Sequence, residues 1–387
     1  MKTSDTAVDR IGEIRAKPIG SPVVTRAPWF DWLRRELAPV PGRREMTIRL
    51  VVGVVLVTII SMSLQVPEAA LSAYMVFFVT KQNRVLTALV GVLFIVGVTV
   101  AIAVSLVLLK WMIEFPGLRV VMTAACLFAG MFLSRVFVIG PLGFAIGFVM
   151  SAALTFVDGA PNAEIAVRAL LWLWVIVIYP IVITVVLNQV LLPTHPTSAN
   201  GQKPSAKAKK QIFVADAFTN PAHAHFALKV TLAAMTCYFI YTGVDWSGIH
   251  TAFITCCFIA LESTTATLRK ATLRICGCLI GGLLGFLSIL YLVPRMETIA
   301  SLALLTAALS AFAGWIAAGS QRIAYGGLQI AFAFYLCIFQ GFKPGTDLDV
   351  IRDRIAGIIL GIVVTSVVFR YLWPEEEHPP LQPKAEA

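Results

Sequence analysis

Long apolar runs recur along almost the whole chain, and they limit its possible folds more than any other feature. A membrane-spanning helix needs about 20 consecutive, mainly apolar residues. We find twelve candidate runs in the 387 residues, 58% of which are hydrophobic. Soluble domains carry about a quarter charged residues, whereas this chain carries 13%. The sequence predicts an all-α polytopic membrane protein with about 12 transmembrane helices.

The predicted spans form two groups of six, separated by a polar segment rich in Pro, Ser and Lys. The spans are 47–66, 68–80, 84–109, 117–134, 137–157 and 168–192, then 226–243, 248–261, 271–293, 297–317, 322–341 and 355–373. The predicted domains are a basic cytoplasmic tail with an interfacial helix (1–46), a first six-span repeat (47–192), a basic cytoplasmic linker (193–225), a second six-span repeat (226–373) and a C-terminal tail (374–387).

The net charge of +10 is placed as in a membrane protein. With the N-terminus inside, only seven of the 31 Lys and Arg residues fall on the outer side. Cytoplasmic loops carry this excess of cations and attract anionic lipids. The sequence therefore predicts a bacterial inner-membrane protein with both termini cytoplasmic, and no nucleic-acid partner.

The two halves resemble each other in layout. Each begins with a cation, Arg49 or Lys229, and continues through a full span, a polar break and a short second span. A basic turn then precedes a long span that contains glycines, and this turn holds Arg84 in one half and Arg269, Lys270 and Arg274 in the other. Six spans per half give both halves the same orientation. The pattern predicts a parallel 6+6 pseudo-dimer.

Glycines recur at helical spacing in the predicted ninth and twelfth spans. Small residues on one helix face let a second helix approach closely. We interpret five glycines as helix-packing positions: Gly277, Gly281, Gly285, Gly357 and Gly361. The short second spans are different, because paired short segments indicate a transport site. Tilting or local thinning of the bilayer would also accommodate them.

Arginines that open spans on the outer side run against the usual charge distribution. Arg168, Arg352 and Arg354 are therefore candidate substrate-pathway cations, although neighbouring aspartates could pair with them. Trp246 and Tyr335 are candidate pathway aromatics. A run of aromatics such as that around Tyr335 more commonly faces lipid or the protein core.

Ionisable residues near the span ends are candidate proton carriers. His250 could bind an acid or carry a proton near neutral pH, but it could equally be a hydrogen-bonded interfacial residue. Glu68 could cap a helix instead, and Glu262 could pair with the basic turn. The candidates are His250, Asp245, Glu262, Glu68 and Asp353.

Other functional classes lack their motifs in this sequence. We find no P-loop, no HExxH and no GxSxG, so we expect no enzymatic activity and no cofactor. The seven cysteines have no zinc spacing and no accompanying His, Asp or Glu cluster, so we expect no metal site.

The layout resembles the fusaric acid resistance and aromatic acid exporter family of bacterial inner-membrane proteins. The resemblance rests on the cations that open the first spans, on LRKATLRICGCLIGG and on RDRIAGIILGIVV, and it covers nearly all of residues 45–373. It implies export of weak aromatic carboxylic acids or related drugs, driven by the proton gradient. It also implies cooperation with a periplasmic adaptor and an outer-membrane channel. Many members carry a large cytoplasmic domain, whereas this chain has only the 193–225 linker.

Two other functions remain open at this point. A passive organic-anion channel needs the same cations without proton carriers, and a non-transporting scaffold needs only paired charges. The sequence also leaves a homo-oligomer open.

Overall fold

The computed structural model describes residues 28–157, 159–160, 162–190, 213–214, 216–260, 264–340, 343–345 and 347–372. The described residues divide into two units, one up to Ala38 and the other from Pro39 onward. In the first unit, helix α1 spans Pro28–Leu37. Its aromatic residues alternate with charged ones, which is typical of a helix that lies in a membrane interface. The helix is confirmed, and its interfacial location stays a prediction.

The second unit begins with six helices, which cover the predicted first group of spans. They are α2 (Arg43–Ser63), α3 (Ala69–Val79), α4 (Arg84–Met112), α5 (Pro116–Val136), α6 (Gly140–Val157) and α7 (Ala163–Val190).

Six further helices cover the second group. They are α8 (Pro221–Gly243), α9 (Thr251–Ile259), α10 (Thr264–Tyr291), α11 (Ile299–Ala317), α12 (Ala324–Ile338) and α13 (Asp349–Tyr371). A 3-10 turn, Ser247–His250, precedes α9. The strands β1 (Phe339–Gln340) and β2 (Lys343–Pro344) form a small antiparallel hairpin, in which Phe339 pairs with Pro344.

In the described part of the chain, eight helices are long and apolar enough to cross a membrane. Four further apolar helices are shorter, at 69–79, 142–157, 247–259 and 324–338. An all-α polytopic membrane protein is therefore confirmed. The predicted short second spans are the short helices α3, of 11 residues, and α9, of nine residues.

Capping residues explain where several helices begin. The side chain of Asn83 accepts a hydrogen bond from the backbone N–H of Val85, 2.8 Å away. Asn220 does the same for Ala222 at 3.0 Å. These side-chain oxygens satisfy N–H groups that have no partner within the helix. Both helices, α4 and α8, begin after polar loops, as the sequence predicts.

Non-glycine residues with positive φ lie in the breaks before the short helices. Glu68 (φ 53°) precedes α3 directly, and Asp245 (φ 51°) lies before the turn that leads into α9. Aspartate is several-fold enriched in this left-handed conformation, which is uncommon for other non-glycine residues such as Glu68. These breaks end α2 and α8 abruptly and start a new helix within a few residues.

Equivalent helices of the two groups have equivalent packing partners. Helix α4 packs against α6 as α10 packs against α12, and α3 packs against α7 as α9 packs against α13. The groups are joined by α2 against α11 and by α5 against α8. One buried cluster combines residues of α2 and α3 with residues of α11 and α12. The core therefore runs across both groups.

Several predicted boundaries need correction. Helices α7, α8 and α13 begin five, five and six residues before their predicted spans. Helix α10 begins at Thr264, seven residues before the predicted span. No Gly or Pro interrupts TTATLRKATLRIC, and most of its residues are compatible with a helix, so the helix continues through the predicted turn. Helix α12 ends at Ile338, because the chain there enters the β1–β2 hairpin.

Candidate functional site

Glycines set the spacing between α10 and its neighbour α12. A Cβ added to Gly281 would lie 2.9 Å from the Cβ of Ala333, and it would be closer still to the carbonyl oxygen of Ile330. Gly277 and Gly285 face α12 with similar closeness. Gly357 and Gly361 of α13 face α9, where a Cβ on Gly361 would lie 2.7 Å from the carbonyl oxygen of Ala252. These contacts hold the helices close together around one polar region.

Arg274 lies at the centre of that region. The sequence assigns it to a cytoplasmic basic turn, and this assignment is wrong, because α10 already contains the whole stretch from Thr264. Its side chain is only 3% exposed. Arg269 and Lys270 also lie in α10, with Arg269 exposed and Lys270 half-buried. In the first group, Arg84 is the first residue of α4, next to the predicted turn.

The guanidinium of Arg274 is hydrogen-bonded to three neutral oxygens. Its Nε donates to Thr255 Oγ1 on α9 at 3.2 Å. Its Nη1 donates to Tyr325 Oη at 3.3 Å and to Gln329 Oε1 at 3.1 Å, both on α12. No described carboxylate pairs with it. These bonds solvate the charge but leave it uncompensated.

Arg354 supplies a second guanidinium from α13. Its Cζ lies 5.2 Å from the centre of the Phe332 ring, within the range of a cation–π interaction. The same ring lies 4.3 Å from that of Tyr74 on α3. Arg354 also interacts electrostatically with Arg274, and with Glu68 at the start of α3. Its Nε is buried and has no hydrogen-bond partner in the described part of the chain.

Lys270 adds a third cation one helical turn before Arg274. Its Nζ lies 5.2 Å from the centre of the Tyr325 ring. Tyr325 therefore contacts Lys270 through its ring and Arg274 through its hydroxyl. Lys270, Arg274 and Arg354 form what we name the cation cluster.

The cation cluster has no described ion pair. Charged side chains within a membrane span are costly, and an unpaired buried charge more so. Gln329, which is fully buried, contributes a further unused donor, because its Nε2 has no acceptor among the described residues. The region offers positive charge and two unused donors, Arg354 Nε and Gln329 Nε2, and no described carboxylate forms an ion pair with its cations.

The other predicted pathway residues lie elsewhere. Arg168 pairs with Glu164 at 2.7 Å, and both side chains are 72% exposed, so Arg168 does not share the environment of Arg354. Arg352 is exposed, pairs with Asp349 at 3.0 Å and lies 5.5 Å from the ring of Trp246. Tyr335 is fully buried, and its hydroxyl shares a hydrogen bond with Ser310 at 2.6 Å. It is a core residue.

The predicted proton carriers are distributed over three places. His250 and Asp245 line one cleft between α6 and the start of α9. Glu68 is exposed at the N-terminal end of α3. Asp353 accepts two hydrogen bonds from Arg352, and its side chain is 17% exposed. Glu262 lies outside the described residues.

A different cation arrangement occurs in the first group of helices. Arg49 is 4% exposed and donates to Asn188 Oδ1 at 2.6 Å and to the carbonyl oxygens of Lys81 and Gln82 at 3.2 and 3.3 Å. Lys81 lies in the loop between α3 and α4, where burial lowers the pKa of its ammonium. Arg49 thus ties the end of α7 to this loop.

Sequence reasoning missed Tyr74, Gln329 and Thr255 as site residues. Each lies on a helix that is apolar along its length, so periodicity gives no indication of its role. The one available signal is a polar side chain at membrane depth, which sequence alone does not distinguish from a packing residue.

Comparison with known proteins gives a family match in the second group of helices. Residues 230–368, which hold Arg274, Gln329 and Arg354, match the family model described as fusaric acid resistance protein-like. This match lies within the second group of helices. The predicted family is thereby confirmed, and the cation cluster lies in the matched fusaric acid resistance-like region.

Relatives extend the similarity to most of the chain. The multidrug resistance protein MdtO of Escherichia coli K12 is 26% identical over 87% of this chain and 70% of its own length. The MdtO protein of Shigella flexneri is 25% identical over the same shares. No solved structure matches the chain. The chain is thus similar to multidrug resistance proteins over most of its length.

Proposed function

We propose that this protein is an efflux transporter that exports weak organic acids as their anions across the bacterial inner membrane. One observation carries the proposal. Two buried donors, Arg354 Nε and Gln329 Nε2, have no acceptor in the described structure, and both lie on helices that meet at the cation cluster. A buried donor without a partner costs about 1–3 kcal/mol. A bound carboxylate would supply the missing acceptors and the missing negative charge.

The rings beside Arg354 favour a planar aromatic body for the substrate. Phe332 and Tyr74 lie side by side at 4.3 Å. Aromatic side chains stack with planar molecules, and a guanidinium pairs with a carboxylate through two parallel hydrogen bonds. An aromatic carboxylic acid combines both groups in one small molecule.

The family match and the names of the relatives support transport out of the cell. The matched region is described as fusaric acid resistance protein-like, and the relatives are named multidrug resistance proteins. A weak acid crosses the membrane in its neutral form and dissociates in the cytoplasm. Its anion then accumulates, so resistance requires export of the anion.

We further propose that the twelve helices form two parallel six-helix repeats, with both termini in the cytoplasm. The equivalent packing of α4 with α6 and of α10 with α12 supports the repeat. The distribution of Lys and Arg supports the orientation. Inward proton flow, with His250 and Asp245 as candidate carriers, would drive the export.

Transport into inside-out vesicles tests the proposal. The vesicles are energised by respiration, and radiolabelled benzoate is added outside. We expect uptake by the wild type, and collapse of this uptake when the pH gradient is dissipated. We expect at least a tenfold lower rate for Arg274→Gln and Arg354→Gln, which corresponds to about 1.4 kcal/mol or more.

Arg168→Gln is the matched control, since Arg168 is an exposed arginine paired with Glu164. It should transport as the wild type does. Uptake that follows membrane voltage alone would contradict proton-coupled transport and favour a passive anion channel. Equal loss in all three variants, or in none, would contradict the role of the cation cluster.

A further inference from the structure

A second polar site lies in the cleft between α6 and the loop that joins α8 to α9, and no residue of the cation cluster lines it. Its volume is about 590 Å³. That size falls in the range of about 300–1,000 Å³ that is typical of sites for small molecules. One wall is Thr155 and Phe156 from α6, and the other is Tyr241, Asp245, His250 and Phe253.

The charge of the cleft is opposite to that of the cation cluster. Among the described residues that line it, Asp245 alone carries a full charge at neutral pH. Its carboxylate has no ion pair or hydrogen bond with the described part of the chain, and the residue is exposed. An unpaired carboxylate in a cleft attracts cations.

The backbone fixes the position of Asp245. Its φ of 51° places it in the left-handed region. Its N–H donates to the carbonyl oxygen of Thr242 at 3.2 Å, and the N–H of Trp246 donates to that of Tyr241 at 3.0 Å. These bonds close the C-terminal end of α8, so the carboxylate is held at the edge of the cleft.

His250 also lines this cleft. Its Nδ1 lies 3.0 Å from the carbonyl oxygen of Ser247, which can only accept a hydrogen bond. In the neutral ring, Nδ1 therefore carries the proton and Nε2 carries the lone pair. The ring of Phe156 packs edge-on against the imidazole, with centroids 6.0 Å apart. The cleft combines two acceptors with aromatic walls.

We propose that this cleft binds a drug-sized organic cation that has an aromatic body and N–H donors, such as an aryl amidine or amine. The carboxylate of Asp245 accepts from the charged group, and His250 Nε2 accepts a second N–H. The rings of Phe156 and Phe253 contact the aromatic body, where cations gain a further attraction. No residue of the cation cluster lines this cleft. Arg354 of the cluster acts electrostatically on His250, and His250 and Asp245 are also the candidate proton carriers of the anion exporter.

Equilibrium binding of the fluorescent bis-amidine DAPI tests the proposal, with the full chain in nanodiscs of zwitterionic lipid. We expect saturable binding to the wild type. Asp245→Asn should weaken it at least tenfold, and asparagine is suitable because it also tolerates positive φ. Thr155→Trp fills the cleft without changing any charge, and it should weaken binding to a similar extent.

Glu297→Gln is the control, because Glu297 is an exposed acid that does not line the cleft. It should bind DAPI as the wild type does. Absence of saturable binding to the wild type overturns the proposal. So does an Asp245→Asn variant with unchanged affinity, or a Thr155→Trp variant with unchanged affinity, which would assign the binding to surface charge. Arg274→Gln should bind DAPI as the wild type does. Loss of benzoate transport in this variant can therefore be distinguished from loss of cation binding in the cleft.

Discussion

Arg274 Nη1 donates to Gln329 Oε1 across 3.1 Å, and the amide nitrogen of the same Gln329 has no acceptor among the described residues. The glutamine thus uses its acceptor for a cation of α10 and leaves its donor unused. A residue that served stability alone would be better as a carboxylate, because a carboxylate at this position would neutralise Arg274. The arrangement keeps positive charge available between α10 and α12.

Gln329→Glu should therefore separate stability from transport. The new carboxylate would pair with Arg274, so we expect an unchanged or higher Tm and at least a tenfold lower rate of benzoate uptake. Thermal unfolding in detergent and vesicle transport measure the two effects. Gln329→Leu removes the acceptor and should lower the Tm. Wild-type transport by Gln329→Glu would mean that the charge of Arg274 is not needed.

Adjacent glycines of α10 should differ in their tolerance of a methyl group. Gly281 lies against the backbone of α12, whereas a Cβ on Gly282 meets only a side-chain atom of Ile351, at 3.5 Å. Overpacking costs about 1–3 kcal/mol. Gly281→Ala should lower the Tm by several degrees, and Gly282→Ala should leave it unchanged. Equal Tm values for the two variants would contradict the close approach of α10 and α12.

Asn188 should stabilise the first group of helices through Arg49. Asn188→Leu removes the acceptor that lies 2.6 Å from Arg49 Nη1. Loss of a hydrogen bond to a buried charge costs about 1–3 kcal/mol. We expect a clear decrease in the Tm, with no change for Gln189→Leu, because Gln189 is the exposed neighbour in the same helix. A similar decrease in both variants would point to a general effect on α7.

Asp216, which lies just before α8, should make the stability of the folded protein depend on pH. The hydrogen bond from Asn220 Nδ2, 3.0 Å long, and the nearby His223 lower the pKa of the Asp216 carboxyl below its ordinary 3.8. A lowered pKa stabilises the folded state above the ordinary value, and the effect is lost as the pH falls through the folded-state pKa.

Thermal unfolding of the wild type and of Asp216→Asn from neutral to acidic pH checks this expectation. The difference in Tm should be constant down to about pH 5 and should shrink below the ordinary carboxyl value. A difference that persists unchanged at the lowest pH would mean that the asparagine acts through something other than charge.

Much of the fold follows from the sequence, because apolar length alone decides which segments can enter a membrane. The runs that become α2, α4 and α7 are visible directly, and the short helices α3 and α9 follow from the polar breaks before them. Boundaries are less well defined where no Gly or Pro marks them. The start of α10 at Thr264 is one such case, and it changes the interpretation of Arg274.

The sequence by itself determined that this chain is a polytopic helical membrane protein, since that conclusion depends on composition and on the length of apolar runs. Its local motifs also carried the resemblance to the fusaric acid resistance family, which residues 230–368 match. Only the tertiary structure decided which charges belong together. Arg168 and Arg354 have the same chemistry and similar positions before apolar runs, yet Arg168 pairs with Glu164 at the surface and Arg354 lies over Phe332. The physical reason is that the cost and the use of a charge depend on its burial and its neighbours, and those come from the packing of α3, α10, α12 and α13.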